Sequence, residues 1–160
     1  MSDDWAFASP PKPWSEAFSD DVAFLFSKIG ARANKLYAEL LAPLDLRPNQ
    51  VAVLQYLAAS EGASQREIVS GLWIDAGSLV AMLDLFEERG LAERRRNPSD
   101  RRASAVHLTG RGREQLARAL ELSKEVERRL LGPLPVAERR QLHALLKSIT
   151  GLNGAGAGPV

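Results

Sequence analysis

The stretch that most constrains this chain runs from Arg89 to Thr109. It opens on a helix stop, because Glu87-Glu88-Arg89-Gly90 sets a glycine just past a charged helical end. Leu91, Arg94 and Arg96 begin one strand. Asn97-Pro98-Ser99-Asp100 is dense in residues that favour a tight bend, and Ala103 to Leu108 returns as a second strand. Alternation puts Val106 and Leu108 on one face of that strand and Ala105 and His107 on the other. The result is a β-hairpin whose tip is flanked by two arginine clusters. From Arg89 to Arg102, six arginines against Glu93 and Asp100 leave a net charge of +4. A protruding hairpin with that charge is suited to phosphate.

What precedes the hairpin gives it a context. Pro48 to Ala59 reads as a helix with proline in its first turn and Val51, Val53, Leu54 and Leu57 available for burial. Ser64-Gln65-Arg66-Glu67 is a capping box, in which the serine accepts from the Glu67 amide and the glutamate reaches back to the Ser64 amide. It starts a short helix through about Leu72. Asp75 caps the next helix, Ala76 to Arg89, and only Trp73-Ile74-Asp75 separates the two. Short helix, tight turn, second helix and charged hairpin is the plan of a winged helix-turn-helix. Leu79, Leu83 and Phe86 share one face of the second helix, which leaves Ala76, Gly77, Ser78, Ala81 and Met82 nearer the outside. Small residues at a helix N-terminus admit close approach to a groove wall, and the amide groups there favour phosphate.

The expected fold is mainly α with a small β-hairpin wing, a winged helix-turn-helix lobe over residues 48–109 set between helical regions at 15–47 and 110–150. Ser15 to Leu41 reads as one long helix with Phe18, Val22, Leu25, Phe26, Ile29, Ala33, Leu36, Tyr37 and Leu40 along one stripe, ended by Pro43. Thr109 to Leu131 carries Leu116, Leu120, Val126 and Leu130 and stops at Gly132-Pro133. Val136 to Ile149 is expected to turn Leu142, Leu145, Leu146 and Ile149 inward. Residues 1–14 form an arm, extended through Ser9-Pro10-Pro11-Lys12-Pro13. Trp5, Phe7 and Trp14, with Phe18 just beyond, make four of the chain's ten aromatics, so the arm either packs on a partner or cleft or is a simple tail. Residues 151–160, with four glycines and a proline, read as a disordered tail.

Several function classes are disfavoured. Net charge over the whole chain is only +1, so the basicity is local. There is no cysteine, which removes disulfides, cysteine zinc sites and thiol redox sensing. His107 and His143 are far apart and read as structural or surface residues, so neither metal nor cofactor is expected. No nucleophile elbow, Walker loop or dinucleotide fingerprint is present, and Gly110-Arg111-Gly112 lacks the third glycine, so an enzyme is not expected. No uncharged run approaches the roughly 18 residues of a membrane span. The start, with Asp3 and Asp4, is not a signal peptide, which leaves the cytoplasm as the expected location. Trp73 reads as a core or interface aromatic. Two bland alternatives stay open: a solvated charged hairpin, or a winged helix used for protein contacts without any operator, which salt-dependent DNA affinity discriminates.

At this point the chain resembles the MarR family of bacterial transcriptional regulators over roughly Asp20 to Thr150. The family's wing signature (Asp, any residue, Arg, five residues, Leu-Thr) is met by Asp100-Arg101-Arg102-Ala103-Ser104-Ala105-Val106-His107-Leu108-Thr109. Ser64-Gln65-Arg66-Glu67-Ile68-Val69, Ile74-Asp75 and Leu83-Asp84-Leu85-Phe86-Glu87-Glu88-Arg89-Gly90-Leu91 resemble its two DNA-reading helices. The resemblance implies a homodimer joined through the terminal helical regions, docked as a repressor or dual regulator on a pseudo-palindromic operator in double-stranded DNA. It implies Arg102 as a minor-groove arginine oriented by Asp100 with Arg101 beside it, Arg94, Arg95 and Arg96 on backbone phosphates, and Ser64, Gln65 and Arg66 at phosphate or base edges. The second DNA-reading helix lacks exposed Arg, Asn or Gln for bidentate base contacts, so direct readout is expected to be modest, with a larger share from the wing. The resemblance further implies a small, often aromatic or phenolic, anionic effector. Helix faces nominate Phe26, Lys28, Arg32 and Tyr56 for its cleft, with core packing and surface charge as the alternative.

Overall fold

The computed structural model describes residues 18–96 and 104–151, so the N-terminal arm, the hairpin tip with Asp100, Arg101 and Arg102, and the tail beyond Gly151 lie outside the described residues. The helices are α1 (Val22–Leu41), α2 (Pro48–Ala59), α3 (Gln65–Leu72), α4 (Ala76–Glu88), α5 (Gly110–Leu131) and α6 (Val136–Thr150), with a 3-10 turn at Ala42–Leu44. Three strands, β1 (Ala63–Ser64), β2 (Ala92–Arg96) and β3 (Ser104–Leu108), form an antiparallel sheet in the order β1-β3-β2. Among the described residues no single helix is long and apolar enough to cross a membrane.

The first helix is shorter than the apolar stripe predicts. It begins at Val22 because Asp21 is extended and its carboxylate accepts from the Phe24 amide at 2.9 Å, a cap that the helix-wide periodicity hides. Ser19 and Asp20 form a turn, and the Phe18 ring folds back to stack on Phe24 with centroids 4.2 Å apart. Leu36 and Leu41 in the second half of α1 are buried, and the Tyr37 hydroxyl donates to the Ala119 carbonyl oxygen at 3.0 Å, tying α1 to α5. Burial pushes the Tyr37 phenol above its ordinary value.

The core lies between α2, α3, α4 and the sheet. Val51, Val53, Leu54 and Leu57 of α2 all enter it, as do Ile68 of α3 and Leu79, Leu83 and Phe86 of α4. Leu116 and Ala119 close it from α5. Gly90 ends α4 with φ at +66°, which L side chains rarely adopt, and the chain turns directly into β2. Gly112 has a different reason to be glycine. A Cβ there would lie 2.0 Å from the Leu91 carbonyl oxygen, so the first turn of α5 can meet the start of the wing only without a side chain. Thr109 completes the joint: its hydroxyl donates to the Gly90 carbonyl oxygen at 2.7 Å and accepts from the Gly112 amide at 3.0 Å.

One expectation about burial fails, that of the last helix, while the first half of α1 is left open as a helix that serves an interface would be. Leu142 of α6 is half-buried and Leu145, Leu146 and Ile149 are exposed, as is Val136, so no residue of that helix is buried within the chain. The same holds for the first half of α1, where Val22, Leu25, Phe26 and Ile29 are exposed. Both helices are amphipathic at the right period, but among the described residues nothing covers their apolar faces.

Candidate nucleic-acid interface

The helix-turn-helix is built from two capped helices. Ser64 accepts from the Glu67 amide at 3.3 Å while the Glu67 carboxylate accepts from the Ser64 amide at 2.7 Å, so the capping box forms as expected. Asp75 accepts from the Ser78 amide at 2.7 Å and starts α4. These bonds hold both the Glu67 and the Asp75 carboxyl below the usual range. The chain bends by 118° between α3 and α4, the angle at which a helix-turn-helix presents its second helix outward.

On α4 the structure sorts the expected contact residues. Ala76, Gly77, Ser78 and Ala81 are exposed. Met82 is not with them: it is half-buried and packed against the core, because the position falls between Leu79 and Leu83 on one side and Leu85 and Phe86 on the other. At the start of α3, Arg66 is exposed and Ser64 and Gln65 are half-buried. Trp73, expected in a core or an interface, is outside the core altogether. It is 90% exposed, with φ at +52°.

The wing pairs as a hairpin, with Ala92 opposite Leu108, Glu93 opposite His107, Arg94 opposite Val106 and Arg95 opposite Ala105. β3 also pairs with β1, Ala63 opposite Val106, which ties the start of α3 to the wing. That two-residue strand is too short for alternation to reveal. The arginines divide into two groups. Arg89 donates to the Leu44 carbonyl oxygen at 3.0 Å and to that of Asp45, with the Asp45 carboxylate at 3.5 Å, which secures the linker between α1 and α2. Arg94, expected on a phosphate, instead reaches back to α4. Its guanidinium sits 2.7 Å from the Asp84 carboxylate and pairs with Glu87, while its backbone amide donates to Glu87 at 2.7 Å. Burial alone would lower the Arg94 pKa, but the two carboxylates outweigh it and hold the group above its ordinary value. Arg95 is more open and pairs with Glu93 on its own strand. The Arg96 side chain, like Asp100, Arg101 and Arg102, is outside the described residues. The described part of the wing is therefore less positive toward solvent than a linear charge count implies.

Three hollows bear on a small ligand. Phe26, Lys28 and Arg32 come together with Val22, Leu25 and Ile29 along the open face of α1, where the Lys28 ammonium stands 5.1 Å from the Phe24 ring centroid. Tyr56 does not join them. It packs on Gly71, where an added Cβ would meet its ring at 2.4 Å, so it belongs to the contact between α2 and α3. A second cleft of about 680 Å³ lies between α1, the start of α2 and α4, lined by residues that include Ala38, Arg47, Gln50, Ala81, Met82 and Leu85. A neighbouring hollow of about 500 Å³ shares Ala38, Arg47, Gln50 and Met82 and adds Lys35. Sequence spacing missed this cleft because its walls come from three separate elements. Among the described residues no group of three or more His, Cys, Asp or Glu is placed to hold a metal ion.

Comparison with known proteins agrees with this geometry. A family model described as MarR family matches residues 44–103. A Thauera aromatica protein assigned to regulation of the hcr operon is 32% identical over 64% of this chain, a match that spans 61% of that relative's length. The transcriptional regulator HosA of Escherichia coli O111:H- is 30% identical over 66% of this chain and 78% of its own. Among solved structures, the transcriptional repressor CouR bound to a 23-mer DNA duplex superposes with a TM-score of 0.78 at 35% identity, covering 89% of this chain and 99% of that one. CouR from Rhodococcus jostii RHA1 bound to p-coumaroyl-CoA superposes with a TM-score of 0.73 at 29% identity, covering 88% and 98%.

Proposed function

The chain belongs to the MarR family of winged-helix, DNA-binding transcriptional regulators, and from that premise we propose that it is a homodimeric cytoplasmic repressor, not an enzyme, acting on a pseudo-palindromic operator. The observation that carries the proposal is the exposed N-terminal turn of α4, with Ala76, Gly77 and Ser78 in the open and the wing hairpin clamped to the same helix by Arg94. A helix start without bulky side chains can enter a major groove closely and offer its amide groups to phosphate. Arg95, Arg96 and Arg66 supply backbone contacts, and Arg102, with Asp100 and Arg101, reads the minor groove. Arg94 serves this interface by holding the wing, not by touching DNA.

Two uncovered apolar faces support the homodimer. Val22, Leu25, Phe26 and Ile29 of α1 and Leu145, Leu146 and Ile149 of α6 are exposed among the described residues. Packing against a second copy removes both from water, and residues 15–47 and 110–150 then form the dimerisation region. The effector is a small aromatic or phenolic anion, seated in the cleft between α1, α2 and α4. Lys35 and Arg47 supply positive charge there, and Met82, Leu85 and Ala81 supply an apolar wall. The structure of CouR bound to p-coumaroyl-CoA supports a ligand for a protein of this fold, and the small anion is inferred from the charge and apolar wall of this cleft alone.

The test is selection of bound duplexes from a random pool, followed by titration of the best duplex at several salt concentrations. The proposal expects an enriched inverted repeat with half-sites about 10 bp apart and a steep log–log loss of affinity with salt. Absence of enrichment, with weak and salt-insensitive binding, would leave a protein-interaction module as the better reading.

A further inference from the structure

Trp73 is the residue that the fold does not account for. It is the C-cap of α3, in the turn of the helix-turn-helix, with φ at +52° and ψ at 41°. That left-handed conformation favours glycine or asparagine, and a bulky side chain there costs free energy. Such a cost is ordinarily offset by packing, yet the indole is 90% exposed and belongs to no part of the core. Trp73 also lies apart in sequence from both apolar faces that a second subunit would cover, on α1 and α6. Its position says what it meets. It stands two residues before Asp75, the cap of α4, so wherever the N-terminal turn of α4 enters a groove, the indole is carried to the groove's edge. α3 and α4 meet at 118°, and Trp73, Asp75, Ala76, Gly77 and Ser78 around that corner are all exposed.

We propose that Trp73 contacts the sugar–phosphate backbone flanking the major groove, its ring face packed on deoxyribose and its indole N–H donating to a phosphate oxygen. An indole joins a broad apolar body to one donor, which matches the alternation of sugar and phosphate along a strand. The contact is neutral and carries no base information, so it sets register and affinity without reading sequence. This deepens the DNA-binding reading and rests on it.

The experiment uses the full-length protein and the best duplex from the random-pool selection. Trp73→Asn keeps a residue that tolerates the left-handed turn, and Trp73→Phe keeps a ring without the donor. Trp73→Asn is expected to weaken binding about tenfold, the scale of truncating one aromatic anchor. The loss should be equal on operator and on unrelated duplex, and the salt slope should stay unchanged because an indole displaces no counterion. Trp73→Phe should recover part of the loss. Thermal stability of Trp73→Asn should equal or exceed that of the wild type, since no buried contact is removed and asparagine tolerates the left-handed turn, and dimer dissociation should be unchanged. In a Trp5→Phe/Trp14→Phe background, Trp73 is the sole indole, and its emission should change on adding duplex and not on adding free phosphate. Wild-type binding with unchanged Trp73→Asn affinity and silent emission overturns the proposal and leaves the DNA-binding reading standing. A fall in dimer stability would make Trp73 a subunit contact instead, and failure of the wild type to bind any duplex sinks both readings.

Discussion

Replacing Arg94 by methionine separates a residue that organises the wing from one that binds DNA. The Arg94 side chain is 22% exposed, and its partners Asp84 and Glu87 are 62% and 36% exposed. A charge-assisted hydrogen bond in a dry site contributes about 1.5–3 kcal/mol, and an exposed ion pair under about 1 kcal/mol. Two bonds to partly solvated carboxylates therefore total about 1–2 kcal/mol, which in a chain of this size lowers Tm by roughly 3–6 °C. Methionine retains most of the apolar stem, so the loss reports the ion pairs. Combining it with Asp84→Asn in a double-mutant cycle should return a coupling of about 1 kcal/mol. Operator affinity falls as the wing loosens, but the salt slope stays near that of the wild type, because an arginine already neutralised by two carboxylates releases no counterion from DNA. Arg95→Ala is the contrast: Arg95 is 61% exposed with one weak partner, and its loss should flatten the log–log slope by about 0.9 with little change in Tm. The reasoning is refuted if Arg94→Met flattens the slope by that amount while Tm is unmoved.

Three further outcomes follow from the same structure. Gly112→Ala forces a Cβ to within 2.0 Å of the Leu91 carbonyl oxygen and 2.7 Å of the Leu108 side chain, so it should cost about 3 kcal/mol or more in chemical denaturation. The Asp75 carboxyl is held below its unfolded value by Ser78, so its contribution is full above the unfolded pKa and is lost as pH falls through the folded one; stability of Asp75→Asn measured down the acid range should lack that part of the decline. Ile29→Glu places a charge on the open face of α1; if that face joins the proposed dimer, sedimentation should show the variant as monomer and the wild type as dimer at equal concentration, with operator affinity reduced and the fold, by circular dichroism, intact.

The parts of this fold that were legible in the sequence are those specified locally. Ser64 with Glu67, and Asp75 with the Ser78 amide, are caps settled within four residues, and both form as the sequence predicts. The buried positions of α2 and α4 follow from period alone, because those helices are covered on one side by the rest of the chain. Period says which face is apolar, not what covers it. That is why Leu145 and Ile149 were expected inward and stand exposed, and why the stripe from Phe18 onward concealed the break at Asp21. The arginines fail for a related reason. Charge counted along the hairpin treats Arg89 and Arg94 as free, whereas their partners, Asp45, Asp84 and Glu87, come from elements that only folding brings near. For Trp73 the sequence left core and interface both open, and its left-handed backbone and 90% exposure remove the core.

The proposed effector site gains its force from which helix it touches. Ala81, Met82 and Leu85 line the cleft from α4, the helix that also carries Ala76 to Ser78 at its start and Asp84 and Glu87 under the wing. A ligand wedged between that wall and Arg47 therefore pushes on one rigid body with groove contacts at one end and the wing clamp on its flank. Occupancy alone changes nothing: a ligand that fits the DNA-bound and the free arrangement equally well shifts no equilibrium, however tightly it binds. Release of DNA requires that the cleft fit the ligand better when α4 is displaced, and each tenfold preference is worth about 1.4 kcal/mol of coupling. By the same linkage, operator DNA must weaken ligand affinity by the factor by which ligand weakens DNA affinity. Met82→Ala enlarges the cleft without touching the exposed face of α4. It should reduce the ligand's effect on DNA binding while leaving operator affinity in its absence within about threefold of wild type, on the scale expected of an uncontacted position. If Met82→Ala weakened operator binding as severely as Arg95→Ala and left the ligand effect intact, the methionine would belong to the groove and the cleft would have no claim on it.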